Sequence, residues 1–139
     1  MVLNISILGF NLTKISGWKN PEFKGKIEIS TSINISSIDK KEFPLLNDEV
    51  LKVVFSFKII YKELGEISLE GELLLRTDKK IFKDVLKEWK EKKVNTEFQT
   101  LVLNLIIQRC SIRAIELEEE LNLPIHINLP TLKLEKKEN

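Results

Sequence analysis

One cysteine and one histidine in 139 residues remove most site chemistry before any pattern is read. Cys110 can form no intramolecular disulfide, and it excludes a zinc site built on clustered cysteines. It lies in an apolar periodic segment, where a thiol behaves as a small hydrophobe. The only cysteine nucleophile available is a Cys110–His126 pair, and His126 sits far along the chain, between two prolines. One histidine also leaves no plausible Ser-His-Asp set, and the five glycines show no phosphate-loop spacing. No catalytic residue, metal site or cofactor is expected. Neither sign of charge prevails: 22 basic against 21 acidic residues leave +1. No long-range field draws in nucleic acid, and no basic stripe lies beside stacking aromatics. The longest apolar run, Leu101–Ile107, is broken by Asn104 and falls well short of the ~18–20 residues that span a bilayer. Residues 1–10 carry no basic leader and alternate apolar with polar, which reads as a strand rather than a signal peptide. A cytoplasmic protein is expected.

What is present is ordinary globular material. Hydrophobic residues at 42% and charged residues at 31% argue against disorder. The length fits one domain over residues 1–139 that buries roughly two-thirds of its unfolded surface. Leu3, Ile5 and Ile7, then Phe10 and Leu12, repeat with period two apart from one slip near Gly9, predicting a strand with a bulge. An irregular excursion over 15–21 follows. From Gly25 onward Ile27, Ile29, Thr31, Ile33 and Ile35 predict a long half-buried strand, and 36–49 a polar loop holding Phe43-Pro44-Leu45-Leu46. Leu51 to Tyr61 and Ile67 to Leu75 predict two antiparallel strands joined at Glu63-Leu64-Gly65-Glu66, with Gly65 available for positive φ. Gly71 marks a bend or a close backbone approach.

The period then changes. Thr77 or Asp78 can cap a helix carrying Ile81, Phe82, Val85, Leu86 and Trp89. A second helix is predicted from Thr96 to about Leu121, with Phe98, Leu101, Val102, Leu105, Ile112 and Ile115 as its stripe and Pro124 beyond its end. The two prolines make 123–132 an extended tail, and 133–139 a charged, fraying end. The expected fold class is α+β: a four-stranded antiparallel sheet followed by two helices.

One segment is too apolar for one buried face. Leu101, Val102, Leu103, Leu105, Ile106 and Ile107 fill six of seven positions. A helix apolar all round is normally buried all round. A sheet covers one face and the first helix cannot cover the rest, so these six residues are expected at an interface with another subunit. The competing reading is a fifth strand, because Val102, Ile106 and Ile107 are β-branched; the periodic pattern on both sides favours the helix. The acidic run Glu116–Glu120 reads as a solvated helix end rather than an acid–base pair or cation site. Arg109 and Arg113 can grip an anion or pair with Glu116, and His126 is structural or solvent-facing.

The order of elements, with three local motifs, resembles the export chaperone SecB and its SecB-like relatives. Phe10-Asn11-Leu12-Thr13-Lys14-Ile15-Ser16 with Pro21 after it looks like the family's first strand and crossover. Leu51-Lys52-Val53-Val54-Phe55-Ser56-Phe57 followed by Gly65-Glu66 is similar to its central hairpin. Leu121-Asn122-Leu123-Pro124, then Ile127-Asn128-Leu129-Pro130, looks like the end of its long helix and the segment beyond. The chain departs from the family at Phe98-Gln99-Thr100-Leu101, where an aromatic and proline-rich helix start is replaced, and in its non-acidic end, Lys133–Asn139. The resemblance implies a holdase without cofactor or nucleotide, assembled as a dimer of dimers, that binds unfolded polypeptides in export or in toxin–antitoxin control. The aromatic and apolar residues outside the regular pattern, Trp18, Phe23, Phe43, Leu45 and Leu46, with Trp89 and Phe98, are the candidate client-binding set. The rival readings are an adaptor subunit for one dedicated partner and a hot-dog type acyl enzyme or carrier. The latter places its central helix before most strands, whereas both helices here follow four strands.

Overall fold

The computed structural model describes residues 5–42 and 49–128. Four strands, β1 (Ile5–Lys19), β2 (Ser30–Lys41), β3 (Glu49–Ile60) and β4 (Gly65–Thr77), precede two helices, α1 (Lys79–Lys90) and α2 (Thr96–Leu121). The sheet is antiparallel throughout in the order β1-β4-β3-β2, so β1 and β2 are its edges. This is the α+β class that the sequence pattern predicts. Phe43, Leu45, Leu46, the stretch from Leu129 to Leu132 and the charged end 133–139 lie outside the described residues.

Period-two alternation puts Leu51, Val53, Phe55, Phe57, Ile59 and Tyr61 on one face of the central hairpin, with Ile67, Leu69, Leu73 and Leu75 beside them, all essentially inaccessible. Both helices pack on this face. Phe82 and Val85 anchor α1, while Phe98, Val102, Ile106, Cys110, Ala114 and Leu117 anchor α2. Burial pushes the Cys110 thiol up to about 12, so it stays protonated and inert. The opposite face is mixed, with Val54, Ile60 and Leu74 among cross-strand ion pairs Lys52–Glu72 (3.8 Å) and Lys58–Glu66 (3.2 Å).

Both edge strands run past their predicted ends, for one reason. β1 shifts register between Ile7 and Gly9 and again between Leu12 and Lys14; β2 shifts between Ile35 and Ser37. Each bulge inserts one residue and returns the next apolar side chain to the core face. Ile7 and Phe10 thus lie opposite Leu75 and Leu73, and Ile15 opposite Leu69. Ile35 and Ile38 lie opposite Phe55 and Val53. The expected excursion over 15–21 is therefore strand as far as Lys19, and the expected loop from Ser36 is strand as far as Lys41. The irregular turn comes at Asn20–Phe23, closed by Phe23 N donating to Asn20 O (3.2 Å). Conversely β2 starts at Ser30 rather than near Gly25, because Ser30 faces Ile60, the last residue of β3, and earlier residues have no partner strand.

Gly65 does not supply the left-handed residue of the β3–β4 turn; Lys62 does, at φ 56°. Gly65 is required by contact instead, since a Cβ there would lie 2.4 Å from the Trp18 carbonyl oxygen. The expected helix limits agree with the structure. Asp78, not Thr77, caps α1 by accepting from Ile81 N (2.8 Å), and Asn95 caps α2 through Glu97 N and Phe98 N. Asn122, left-handed at φ 55°, ends α2 with Leu123 N donating to Glu118 O (2.8 Å).

Candidate functional site

The edge strand β2 and the junction between the helices enclose a groove of about 320 Å³. Ile33, Ile35 and Ile38 come from β2, Trp89 from the end of α1, Val94 from the connection, and Phe98, Gln99 and Leu103 from the start of α2. The groove exists because Asn95 fixes the α2 start while Glu88 accepts its backbone N–H (2.8 Å), which ties the end of α1 to the turn. Phe98, 1% exposed, forms the floor; Trp89 is half-buried. The outer edge of β2 has no strand partner among the described residues.

Trp89 and Phe98 are thus the two candidate residues that the fold brings together. Trp18 is 50% exposed, but it faces Glu66 across the ladder and so lies on the side of the sheet away from the helices. Phe23 is half-buried in a separate recess with Pro21, Leu64, Leu123 and Pro124. Of the described members of the set, Trp18 and Phe23 do not join this groove. Ile33, Ile35, Ile38 and Leu103 complete it and escaped sequence reading, because only the bulge at Ser36 and the crossing of α2 over β2 place them there.

The apolar segment of α2 resolves into two stripes. Phe98, Val102, Ile106, Cys110, Ala114 and Leu117 face the sheet. Val102 and Ile106, expected at a subunit interface, are fully buried within this chain and have no surface to offer a partner. Leu101 and Leu105, spaced at i, i+4 with Gln108 at i+7 and Ile112 at i+11, follow a second line that leaves Ile112 63% exposed. Leu103 is half-buried toward the groove, and Ile107 is 39% exposed. The predicted single stripe had merged both lines, and Ile112 belongs to the outer one.

The acidic end of α2 is not uniformly solvated. Glu119 and Glu120 are exposed, but Glu118 is fully buried. Its carboxylate accepts the Tyr61 hydroxyl, the His126 backbone N–H (2.9 Å) and His126 Nδ1 (2.9 Å). Burial first, and Glu118 second, push the Tyr61 hydroxyl far above its ordinary range. His126 Nε2 lies 3.2 Å from Ser111 Oγ, and the ring meets Phe57 edge-on. A Ser-His-acid array is therefore present, contrary to expectation. Its serine is buried inside α2, where backbone N–H groups are committed to i−4 carbonyls. The array pins the segment after α2 onto helix and sheet. On the surface Arg113 pairs with Glu116 at 2.5 Å, as the spacing suggests.

Among the described residues no group of three or more His, Cys, Asp or Glu side chains gathers to hold a metal ion, and no helix is long and apolar enough to cross a membrane. No family model matches the chain, and no curated protein matches it. One similar solved structure is a SecB-like chaperone of Mycobacterium tuberculosis in complex with a peptide from an antitoxin. It is 12% identical, with a TM-score of 0.49 over 95% of this chain and 93% of that one.

Proposed function

We propose that this chain binds extended, unfolded polypeptide in the groove between β2 and the helix junction, as an ATP-independent holdase. The observation that carries the reading is a strand edge with no partner among the described residues, running along an apolar trough. An extended peptide can add to β2 through main-chain hydrogen bonds while alternate side chains enter the groove beside Trp89, Val94 and Leu103. Recognition of that kind reads backbone and apolar content, which unfolded chains share. The protein is expected to suppress aggregation of a chemically denatured client without nucleotide, as followed by light scattering. Trp89→Ala weakens client binding about tenfold, the scale of a central aromatic anchor. No suppression at stoichiometric excess argues against the holdase. Capture of a single stoichiometric folded partner instead of many clients favours an adaptor subunit.

Self-association belongs to the same proposal. A stripe of Leu101, Leu105 and Ile112 with near-heptad spacing suits helix pairing with a second copy. Sedimentation should give at least twice the mass of one chain, as a dimer or a dimer of dimers. Leu105→Asp with Ile112→Asp should reduce it to one chain without loss of helix signal. A single-chain mass for the unaltered protein removes the assembly.

A further inference from the structure

The groove continues into a second recess of about 460 Å³, lined by Trp89, Lys90, Lys92, Lys93, Val94 and Gln99. Trp89, Val94 and Gln99 belong to both, so the apolar trough opens directly onto three lysines. The turn after α1 holds them there: Lys92 is left-handed at φ 59°, and Lys93 N donates to Glu88 O at 2.8 Å. All three lysines are exposed, and none forms an ion pair with a described residue. Among the described residues no carboxylate lines either part of the groove. Glu88 turns to the Asn95 backbone, and Glu97 lines the other side of α2 with Leu101 and Leu105. A helix dipole accounts for a lysine in the last turn, as at Lys90, but not for Lys92 and Lys93 beyond the helix.

We propose that the groove selects extended segments in which an apolar stretch is flanked by acidic residues, the apolar part lying along β2 and the carboxylates meeting Lys90, Lys92 and Lys93. The selection rests on the peptide-binding reading above and adds charge to it. Exposed ion pairs are individually weak and screened by salt, so the effect is a preference made by three of them together.

The test uses the full chain and three labelled, unstructured peptides with one shared apolar centre and flanks of glutamate, serine or lysine. Fluorescence anisotropy at low salt should rank them glutamate, serine, lysine, with about tenfold between the first two. High salt should collapse the ranking. Lys90→Ser/Lys92→Asn/Lys93→Ser, with asparagine keeping the left-handed turn, should abolish the glutamate advantage and leave the serine peptide's affinity unchanged. Equal binding of all three peptides overturns the charge selection while the groove reading stands. Binding of none overturns the groove reading itself. Peptide affinity that falls as protein concentration rises, in step with a mass increase, means that a second copy occupies the groove and overturns the selection.

Discussion

Glu118→Ala is expected to lower the free energy of unfolding by about 3–4 kcal/mol, read from urea midpoints at unchanged slope. The carboxylate is fully inaccessible and answers three donors: the Tyr61 hydroxyl, the His126 main chain and the His126 ring. Alanine leaves all three without their acceptor, in a site where water is excluded. Removing the Tyr61 hydroxyl as well should recover part of the loss, because one orphaned donor disappears. Glu118→Ala/Tyr61→Phe is expected to lose about 1 kcal/mol less than the sum of the two single losses. Strict additivity would show that the hydroxyl and the carboxylate do not act as a unit. Glu116→Ala, two residues away, serves as the contrast. Its only described partner is Arg113 on the surface, and the cost should stay below about 0.5 kcal/mol. The larger loss should also detach the segment after α2, which faster amide exchange at Leu123–His126 would report.

Gly71→Ala is the second large effect. A Cβ at this position would sit 2.5 Å from the Asn11 carbonyl oxygen and 2.9 Å from Phe55 Cζ. The first contact is with backbone, which cannot rotate away, and the second with a ring stacked on Phe10 at 5.3 Å. Either β1 moves off β4 or the Phe10–Phe55 pair is broken. A loss of about 3 kcal/mol is expected, at the upper end of what overpacking a core costs. Gly9→Ala, in the same strand pair, meets only the Leu74 side chain at 3.6 Å, an ordinary contact, and should change stability by less than about 1 kcal/mol. Thermal unfolding of the two variants side by side separates close backbone approach from glycine entropy, which affects both. Equal shifts would place the effect in the unfolded chain rather than in the β1–β4 contact.

Alternation and helical periodicity are local properties, and they carried the central hairpin, the α1 cap region and both ends of α2. The apolar strand residues and the Asp78 cap act on neighbours a few positions away, so the elements were legible from order alone. The bulges were legible too, in retrospect. The three-residue spacings Leu12–Ile15 and Ile35–Ile38 are the same mark as Ile7–Phe10, and each returns an apolar side chain to the core. Trp89 and Phe98 could be named as candidates from their character. That they share a wall with Ile33, Ile35 and Ile38 depends on how the helix pair crosses an edge strand more than fifty positions earlier.

The residues by themselves therefore determined the α+β class, the run of four strands and two helices, and an α2 with more apolar residues than one helix face holds. Only the tertiary structure decided which half of that apolar surface is spent inside the chain, and that one glutamate in an acidic run is buried beside the single histidine. The reason is physical. Periodicity follows from backbone geometry within an element, whereas burial depends on what lies opposite, and for Glu118 the opposing groups, Tyr61 and His126, come from separate parts of the sequence.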